Sequence, residues 1–388
     1  MRDETLDLER ARLRFEEATD FTVAIEEELA LVDPATLELV HRFEELHEAA
    51  QRDEVLTDAV KGELIASEIE IRSGRAEGFA EMVEHQRERR ARLFALAARR
   101  GIAMAATGTH PWASYLDQRI IDTPHYRRLQ EELGWVAQRN NTWSLHLHMG
   151  IRGADRAIAV CDHLRGLLPL LLAVSANSPF LDGRDTGLSS VRSEIFTRTF
   201  PRCGVPSAFG SWERYASFID LLARTNSIVE YTQVWWSVRP HNAFGTVEVR
   251  ICDAQSSGDG SFELAALIAG LVAQSALDHD AGALPPPLGD REIEENLWRA
   301  IRYGLGGRMI DFDRGEEIAT RALLERLVEW SDPARGELGI EAPAIESNGS
   351  ERLRGAVAAG ATIEEAYRGA VEETGRTYAP AGVLEGEG

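Results

Sequence analysis

The sequence predicts a mixed fold of helices and strands in which one face of a sheet is polar. Four predicted strands alternate between apolar side chains on one face and ionisable side chains on the other. Predicted helices separate these strands along the chain. With 388 residues the chain can bury a large core, and we expect one domain over residues 1–388, with an N-terminal arm (1–20) and a flexible tail (379–388).

The first predicted strand covers residues 21–32 and ends at the turn formed by residues 33–34. Alternation places Glu26 and Glu28 side by side on its polar face, whereas Glu27 interrupts the apolar face. Adjacent carboxylates repel each other. The pair therefore requires either a cation or free solvation at an exposed sheet edge.

A second strand is predicted over residues 63–72, after a polar helix over residues 41–60. This strand places its isoleucines on one face and Glu68, Glu70 and Arg72 on the other. A second pair of carboxylates thus shares one sheet face. We also expect helices over residues 76–100, 123–138, 156–176 and 211–226, and a short strand from residue 104.

The strand predicted over residues 143–151 carries His146 and His148 on the same face as Ser144, opposite an apolar face. The two imidazoles lie about 7 Å apart along such a strand. This spacing suits two groups that share a polar cavity with a metal ion or a phosphate. An exposed hairpin face is the simpler alternative for this strand taken alone.

The second half of the chain begins with a glycine- and serine-rich loop over residues 177–194, whose length is typical of a functional segment. Strands are predicted over residues 232–240 and 245–253. In the latter, Glu248, Arg250 and Cys252 share the polar face. From about residue 261 onward the pattern predicts helices, interrupted by a proline run.

Charge and composition exclude several classes of protein. A net charge of −22 and a pI of about 4.9 argue against binding to nucleic acid or to anionic membranes. The three cysteines are far apart and predict neither a disulfide framework nor a zinc knuckle. The N-terminus lacks the apolar stretch of a signal peptide, and the run Leu167–Val174 is too short to span a bilayer. We expect a soluble, cytoplasmic protein.

Carboxylates and imidazoles dominate the combined polar faces, and such groups are ligands for magnesium or manganese. Divalent ions on a carboxylate-rich sheet can hold nucleotide phosphates during phosphoryl transfer. No glycine-rich phosphate loop follows a strand, so metal carboxylates would have to hold any bound ATP. The polar faces carry Glu26, Glu28, Glu68, Glu70, His146, His148, Glu248 and Arg250.

Several motifs, in this order, resemble the bacterial second-type glutamate–cysteine ligases, a family also described as carboxylate–amine ligases. The similarity runs from about residue 21 to residue 305. The motifs are Ile25-Glu-Glu-Glu-Leu29, Gly108-Thr-His-Pro111, Leu145-His-Leu-His-Met-Gly150, Ser175-Ala-Asn-Ser-Pro-Phe180, Asp185-Thr-Gly187 and Thr246-Val-Glu-Val-Arg-Ile-Cys-Asp253.

The resemblance implies a glutamine-synthetase-like α+β fold, in which an antiparallel sheet curves into a funnel and helices lie outside. It implies a catalytic domain that uses ATP to activate the glutamate γ-carboxylate as an acyl phosphate, which an amine then attacks. Cysteine is the family's default amine, and the product is then γ-glutamylcysteine. A small homo-oligomer such as a dimer is also implied, with only small-molecule substrates as other partners.

The resemblance also implies roles for individual residues. Metal ligands holding two or three magnesium ions would be Glu26, Glu28, Glu70, His146 and Glu248. Arg250, beside Glu248 in the catalytic set, would stabilise the transferring phosphoryl group, and Arg192 and Arg239 would hold glutamate or phosphate. The sequence departs from the family pattern at Ala24 and Ser144, where the family has glycine, and at Arg72-Ser73. These departures lie next to the predicted metal ligands and replace none of them, so they bear on how the substrate fits.

Two alternatives to a ligase remain open at this point. A His-x-His strand also opens the barrel of metal-dependent hydrolases, although those need regular alternation of strands and helices. A catalytically silent homologue that binds nucleotide is the other alternative. Three residue roles also stay open: His148 could bind metal or support a ligand, Glu68 could simply be solvated, and His110 could shape a loop or contact a ligand.

Overall fold

The computed structural model describes residues 6–379, and its elements are numbered here in chain order. The strands are β1 (Val23–Val32), β2 (Val60–Lys61), β3 (Glu68–Arg72), β4 (Ala103–Ala105), β5 (Ser144–Gly150), β6 (Phe180–Leu181), β7 (Arg184–Asp185), β8 (Cys203–Gly204), β9 (Trp235–Trp236), β10 (Val238–His241), β11 (Thr246–Asp253), β12 (Arg308–Asp311) and β13 (Glu316–Ala319).

The helices are α1 (Leu8–Glu16), α2 (Phe43–Ala50), α3 (Phe79–Ala98), α4 (Pro124–Leu133), α5 (Ala154–Leu164), α6 (Leu168–Ser175), α7 (Val191–Thr199), α8 (Trp212–Arg224), α9 (Gly258–Asp280), α10 (Asp290–Tyr303), α11 (Thr320–Trp330), α12 (Asp332–Leu338), α13 (Gly349–Ala358) and α14 (Ile363–Tyr378).

The largest sheet has seven strands in the order β10–β11–β5–β1–β3–β2, with β4 paired to β1. Every pairing within it is antiparallel. Because the strands alternate, most of their apolar side chains fall on one side and most of the ionisable ones on the other, with Glu27 as an exception. The predicted α+β fold with an antiparallel sheet is confirmed.

Helices cover the apolar face of the sheet. One core packs α5, α6 and α9 against β5, β10 and β11, and a second core packs α2, α3 and α14 around β1, β3 and β4. Helix α9 is long and apolar enough to span a membrane by length and composition, but 83% of its most apolar window is buried inside the protein. It is a core helix. The side chains on the ionisable face of the sheet, opposite these helices, are also buried.

A β-bulge in β11 changes which residues face the polar side. Val249 pairs with Leu147, but Cys252 pairs with Leu145, so β11 has one residue more than β5 over this stretch. The predicted placement of Cys252 on the polar face is therefore wrong. Its side chain lies in the apolar core, and Asp253 turns toward the polar side in its place.

Several predicted elements are shorter than expected. The helix over 41–60 forms only as α2, and the strand over 63–72 forms only as β3. The strand is shortened by a turn at residues 66–67, where the Ala66 N–H donates to the Arg119 carbonyl (2.8 Å) and the Ala66 carbonyl accepts from the Phe43 N–H (3.0 Å). The helix over 123–138 ends at Leu133 and continues as a 3₁₀ helix.

Other elements are interrupted. The helix over 156–176 is two helices, α5 and α6, bent by 61°, because Pro169 favours a new helix start. The predicted loop 177–194 contains the β6–β7 hairpin and the start of α7, while the strand over 232–240 is broken into β9 and β10. The β12–β13 hairpin interrupts the helices expected after residue 261. Parts of the predicted arm (1–5) and tail (380–388) lie outside the described residues.

Candidate active site

Strand pairing brings the predicted ligands next to one another on the polar face of the sheet. Glu26 on β1 lies opposite His146 on β5, and Glu28 lies opposite Glu70 on β3. On the other side of β5, His148 lies opposite Glu248 on β11. Directly opposed residues in antiparallel strands have their Cβ atoms about 5 Å apart. All five residues predicted to bind metal therefore meet in one place.

Three groups of potential ligand atoms result, each with its atoms within 4.8 Å of one another. The groups share Glu26 and Glu70, so they form one continuous site. Two members were not among the predicted ligands, namely His148 and Glu63. The groups are Glu26, Glu70 and His146; Glu26, His148 and Glu248; and Glu28, Glu63 and Glu70.

His148 has the geometry of a metal ligand. Its Nδ1 lies 3.0 Å from the Thr246 hydroxyl oxygen. Its buried Nε2 has no hydrogen-bond partner among residues 6–379, but lies 3.6 Å from Glu26 and 3.7 Å from Glu248. Burial opposes protonation, yet these two carboxylates raise the pKa of His148. An imidazole nitrogen aimed between two carboxylates fits a divalent cation.

Ser144 orients two of the predicted ligands, Glu28 and His146. Its backbone N–H and its hydroxyl donate to Glu28 Oε2 at 2.6 Å and 2.5 Å. The same hydroxyl oxygen lies 2.7 Å from His146 Nε2. Burial, together with the positive charge of Arg250, lowers the pKa of His146, which favours the neutral ring that metals require. Ser144, where the family resemblance implies glycine, thus contacts both predicted ligands.

Glu70 and Arg72 form an ion pair within the carboxylate group. Burial raises the pKa of Glu70 to about 7; the charges of Glu26 and Glu28 add to the rise, and the Arg72 guanidinium opposes it. Arg72 Nε also lies 3.2 Å from Glu26. In Glu26 itself, His148 and Arg72 outweigh the effect of burial and hold the pKa well below its usual range. On the same polar face, the pKa of Glu70 is therefore raised and the pKa of Glu26 is lowered.

Glu63 and Glu68 have surroundings that the alternation pattern did not predict. Glu63 lies before the turn at residues 66–67, so the alternation of side chains along β3 does not extend to it. No sequence signal placed it near Glu28. The sequence leaves the role of Glu68 open, and simple solvation is excluded, because its side chain is only 1% exposed. Burial and the neighbouring carboxylates raise the pKa of both groups well above the usual range.

Two arginines hold Glu248 between them. Arg239 Nε donates to Glu248 Oε2 at 2.6 Å, and Arg250 Nη1 donates to the other oxygen. Despite burial, these charges keep the pKa of Glu248 well below its usual range. Arg239 also donates to the Val234 carbonyl, so most of its donors are occupied within the protein. Arg250 keeps a buried Nε with no partner among the described residues.

Arg192 supports the β11 bulge. Its Nη1 donates to the Ile251 carbonyl at 3.0 Å and lies 3.5 Å from Asp253, while its Nε has no partner within residues 6–379. Asp253 in turn accepts from the hydroxyls of Ser178 (2.7 Å) and Ser190 (2.9 Å). The serine-rich segment before α7 thus anchors the end of β11.

His110 shapes a loop rather than the metal groups. Its Nε2 lies 2.8 Å from the Leu37 carbonyl oxygen, and its Nδ1 accepts from the Ala113 N–H at 3.0 Å. Burial lowers the pKa of His110 to about 4. Both ring nitrogens are therefore committed to the backbone.

A cavity of about 510 Å³ opens beside the Glu26–His148 group. Arg14, Arg72 and Arg75 line it, as does Phe244, which is 58% exposed and is stacked on His241 with ring centroids 4.3 Å apart. The cavity thus combines several cationic side chains with an exposed aromatic face, next to potential metal ligands. Such a combination can bind a phosphate-bearing aromatic molecule.

Comparison with known proteins is consistent with this geometry. The chain is 37% identical over 337 residues to "Putative glutamate–cysteine ligase 2-2" of Rubrobacter xylanophilus, covering 86% of each chain. It is 40% identical over 315 residues to "Putative glutamate–cysteine ligase 2" of Sorangium cellulosum, covering 80% of this chain and 82% of that one.

Two solved structures share the fold at 11% identity. One is a glutamate–cysteine ligase from Francisella tularensis in complex with AMP, with a TM-score of 0.68 over 95% of this chain and 91% of that one. The other is a bifunctional glutathione synthetase from Pasteurella multocida, with a TM-score of 0.65 over 95% of this chain and 54% of that one.

The alternative of a His-x-His hydrolase is wrong, because the histidine strand lies in an antiparallel sheet rather than in a barrel of alternating strands and helices. The model of glutamate–cysteine ligase family 2 matches residues 22–373. The chain belongs to this family of carboxylate–amine ligases.

Proposed function

We propose that the protein uses ATP to activate the γ-carboxylate of glutamate as an acyl phosphate and joins it to an amine, with cysteine as the first candidate. The observation that carries this proposal is the continuous set of three ligand groups, with Arg250 beside them and a cavity of about 510 Å³ adjoining. Bound cations and a guanidinium together can neutralise the charge that develops on a phosphoryl group as it is transferred.

The ligand groups suit magnesium or manganese. Their donor atoms are carboxylate oxygens and imidazole nitrogens, and the buried Nε2 of His148 has no other partner in the described chain. When bound, divalent ions would neutralise phosphate charge during phosphoryl transfer. We assign the ligands Glu26, Glu28, Glu63, Glu70, His146, His148 and Glu248 to them.

Arg250 is the residue we propose to contact the transferring phosphoryl group. Its guanidinium is held by Glu248 through one nitrogen, which leaves other N–H groups for phosphate oxygens. Arg239 holds the opposite oxygen of Glu248, so we assign it a positioning role for that carboxylate. Arg192 supports the bulge that carries Arg250 and offers its Nε to a substrate.

The adjoining cavity is our candidate for the nucleotide site. Phe244 offers an exposed ring on which an adenine could stack, and Arg75 and Arg14 offer donors to phosphates. The Francisella tularensis ligase was solved with AMP, which supports nucleotide binding in this fold. The nucleotide's phosphates would then lie toward Glu26 and His148.

The proposed reaction has two steps. First, a γ-carboxylate oxygen of glutamate attacks the terminal phosphorus of ATP, and ADP leaves. Next, the deprotonated amine attacks the acyl carbon, and phosphate leaves as the amide bond forms. Arg250 would contact the charged phosphoryl oxygens in both steps. Such a guanidinium contributes most when water is excluded, which the burial of this face provides.

The test is release of phosphate from ATP with magnesium and glutamate, across a panel of amines that includes cysteine. Stimulation by one amine, with the matching amide found by mass spectrometry, would establish the ligase and name its acceptor. Glutamate-dependent release with no amine preference would indicate acyl-phosphate formation without the true acceptor. No release under any condition would favour a different donor or a catalytically silent homologue.

Two further properties stay predictions. Family resemblance favours a small homo-oligomer such as a dimer, which light scattering on the purified chain tests directly.

The cytoplasmic location expected from the sequence can be tested by fractionating the native cells.

A further inference from the structure

Glu68 extends the ionisable face one step beyond the proposed metal ligands. It pairs with Ala30 across β1 and β3, immediately after the Glu28–Glu70 pair. Because Glu68 and Glu70 are two residues apart in a strand, their side chains point to the same face. Glu68 is 1% exposed. It is thus a buried acidic group at the inner end of the site.

Neither carboxylate oxygen of Glu68 has a hydrogen-bond partner among residues 6–379. A carboxylate buried without a partner is costly, and native proteins keep such groups mainly where function requires them. Glu68 also belongs to none of the three ligand groups found in the described chain. A divalent ion, which needs several ligand atoms, is therefore not the partner indicated for this side chain.

Glu68 and Arg192 both have buried polar atoms without a partner among residues 6–379. Burial and the charges of Glu28, Glu63 and Glu70 raise the pKa of Glu68, and the positive charge of Arg192 opposes that rise. These two side chains thus offer unused acceptors on a carboxylate and an unused donor on a guanidinium. An α-amino acid has the complementary pair, an ammonium and a carboxylate.

We propose that Glu68 binds the ammonium group of an α-amino-acid substrate. The inference rests on the proposed function, since both glutamate and an amino-acid acceptor such as cysteine have this group. Glu68 would then be a specificity residue, which selects amino acids over carboxylic acids of the same shape. A site built to pair with a substrate group rejects analogues without it, because its own polar atoms stay unpaired.

The experiment compares the wild type with Glu68→Gln, which keeps the shape and removes the charge. Calorimetry with magnesium and a non-hydrolysable ATP analogue measures binding in two arms. The donor arm uses glutamate and glutarate, and the acceptor arm uses cysteine and 3-mercaptopropionate. We expect an effect in the arm whose amino acid contacts Glu68. In that arm, Glu68→Gln should weaken binding of the amino acid by about 10- to 100-fold and leave binding of its desamino analogue unchanged.

The Glu68→Gln experiment needs two controls. Glu295→Gln removes an exposed carboxylate paired with Arg299 on α10, and should bind both members of each pair as the wild type does. Glu68→Gln should melt no lower than the wild type, because the carboxyl group that it replaces has no hydrogen-bond partner among residues 6–379. If Glu68→Gln is folded and its selectivity is altered, the change can be assigned to recognition of the substrate's ammonium group.

The inference is overturned if Glu68→Gln and the wild type prefer amino acids equally in both arms, or if the wild type shows no such preference. This outcome is separate from the proposed function. A wild type that binds amino acids selectively but forms no amide would overturn the ligase reaction and leave the role of Glu68 intact. A wild type that forms amide, with Glu68→Gln unchanged in selectivity, would overturn only the role of Glu68.

Discussion

Glu27 lies between two proposed metal ligands on β1 but points to the opposite face, where it forms a buried ion pair with Arg90. Arg90 Nε donates to Glu27 Oε2 at 2.6 Å, and both side chains are at most 2% exposed. Gln86 Nε2 (2.6 Å) and the Ser261 hydroxyl (2.8 Å) also donate to this carboxylate, and the Tyr378 hydroxyl lies 3.0 Å from it. Helices α3, α9 and α14 thus meet directly behind the proposed metal site.

Arg90→Met should destabilise the protein strongly. The substitution leaves the Glu27 charge buried without its main partner, which costs about 3 to 5 kcal/mol of unfolding free energy. Urea unfolding measures this loss. The double variant Glu27→Gln/Arg90→Met should recover part of it, whereas Arg52→Met, at an exposed pair with Glu48, should change stability by less than about 1 kcal/mol. Equal effects of the two arginine substitutions would contradict the role of this ion pair.

Glu28→Gln should abolish turnover while the protein stays folded. The amide can still accept from Ser144, so the hydrogen bonds at that position persist. Loss of one charged ligand weakens cation binding and phosphoryl transfer, and we expect a fall in kcat of at least about 100-fold. Phosphate release measures the rate, and thermal unfolding checks the fold. Near-normal turnover would show that Glu28 is not a ligand.

Divalent cations should raise the melting temperature of the wild type. Cations that bind only the folded state stabilise it, and here they also relieve repulsion among clustered carboxylates. Differential scanning fluorimetry with magnesium, manganese or excess chelator measures the shift. His148→Ala should reduce it, because the Nε2 between Glu26 and Glu248 is removed. An identical shift in that variant would exclude His148 as a ligand.

Phe244→Ala should weaken nucleotide binding without loss of stability. Phe244 is 58% exposed and stacks on His241, so its removal takes away an aromatic face rather than core packing. Stacking of a base on an aromatic ring contributes about 1 to 3 kcal/mol, and we expect the KM for ATP to rise roughly 10-fold. Leu221→Ala, a partly exposed apolar position on α8, provides the matched control. An unchanged KM would place the nucleotide elsewhere.

His110 should make stability depend on pH. Because burial lowers its pKa to about 4 in the folded state, the unfolded chain binds a proton first as the pH falls below the ordinary value of about 6.5. Its contribution is complete above pH 6.5 and is lost toward pH 4, by about 3 kcal/mol in total. Urea unfolding at several pH values should show a weaker dependence over this window for His110→Gln than for the wild type. Parallel curves would contradict this assignment.

Alternation in the sequence was sufficient to predict the polar sheet face. Glu26 and Glu28, His146 and His148, and Glu248 and Arg250 are each two residues apart in a strand, which fixes their common face whatever the rest of the chain does. The antiparallel arrangement was expected only from family resemblance. The pairing of β1, β3, β5 and β11 confirms it.

Features that depend on contacts distant in sequence could be seen only in the folded chain. A turn that docks on neighbouring loops brings Glu63 to Glu28, and a bulge exchanges Cys252 for Asp253 on the polar side. The alternation of side chains along a strand cannot predict the turn or the bulge, because each one breaks the two-residue repeat. The partners of Glu27 come from three helices up to 351 residues away along the chain. The sequence by itself determined which side chains share a face, since that is local geometry, and tertiary structure alone decided which of them are paired, buried or left for a ligand.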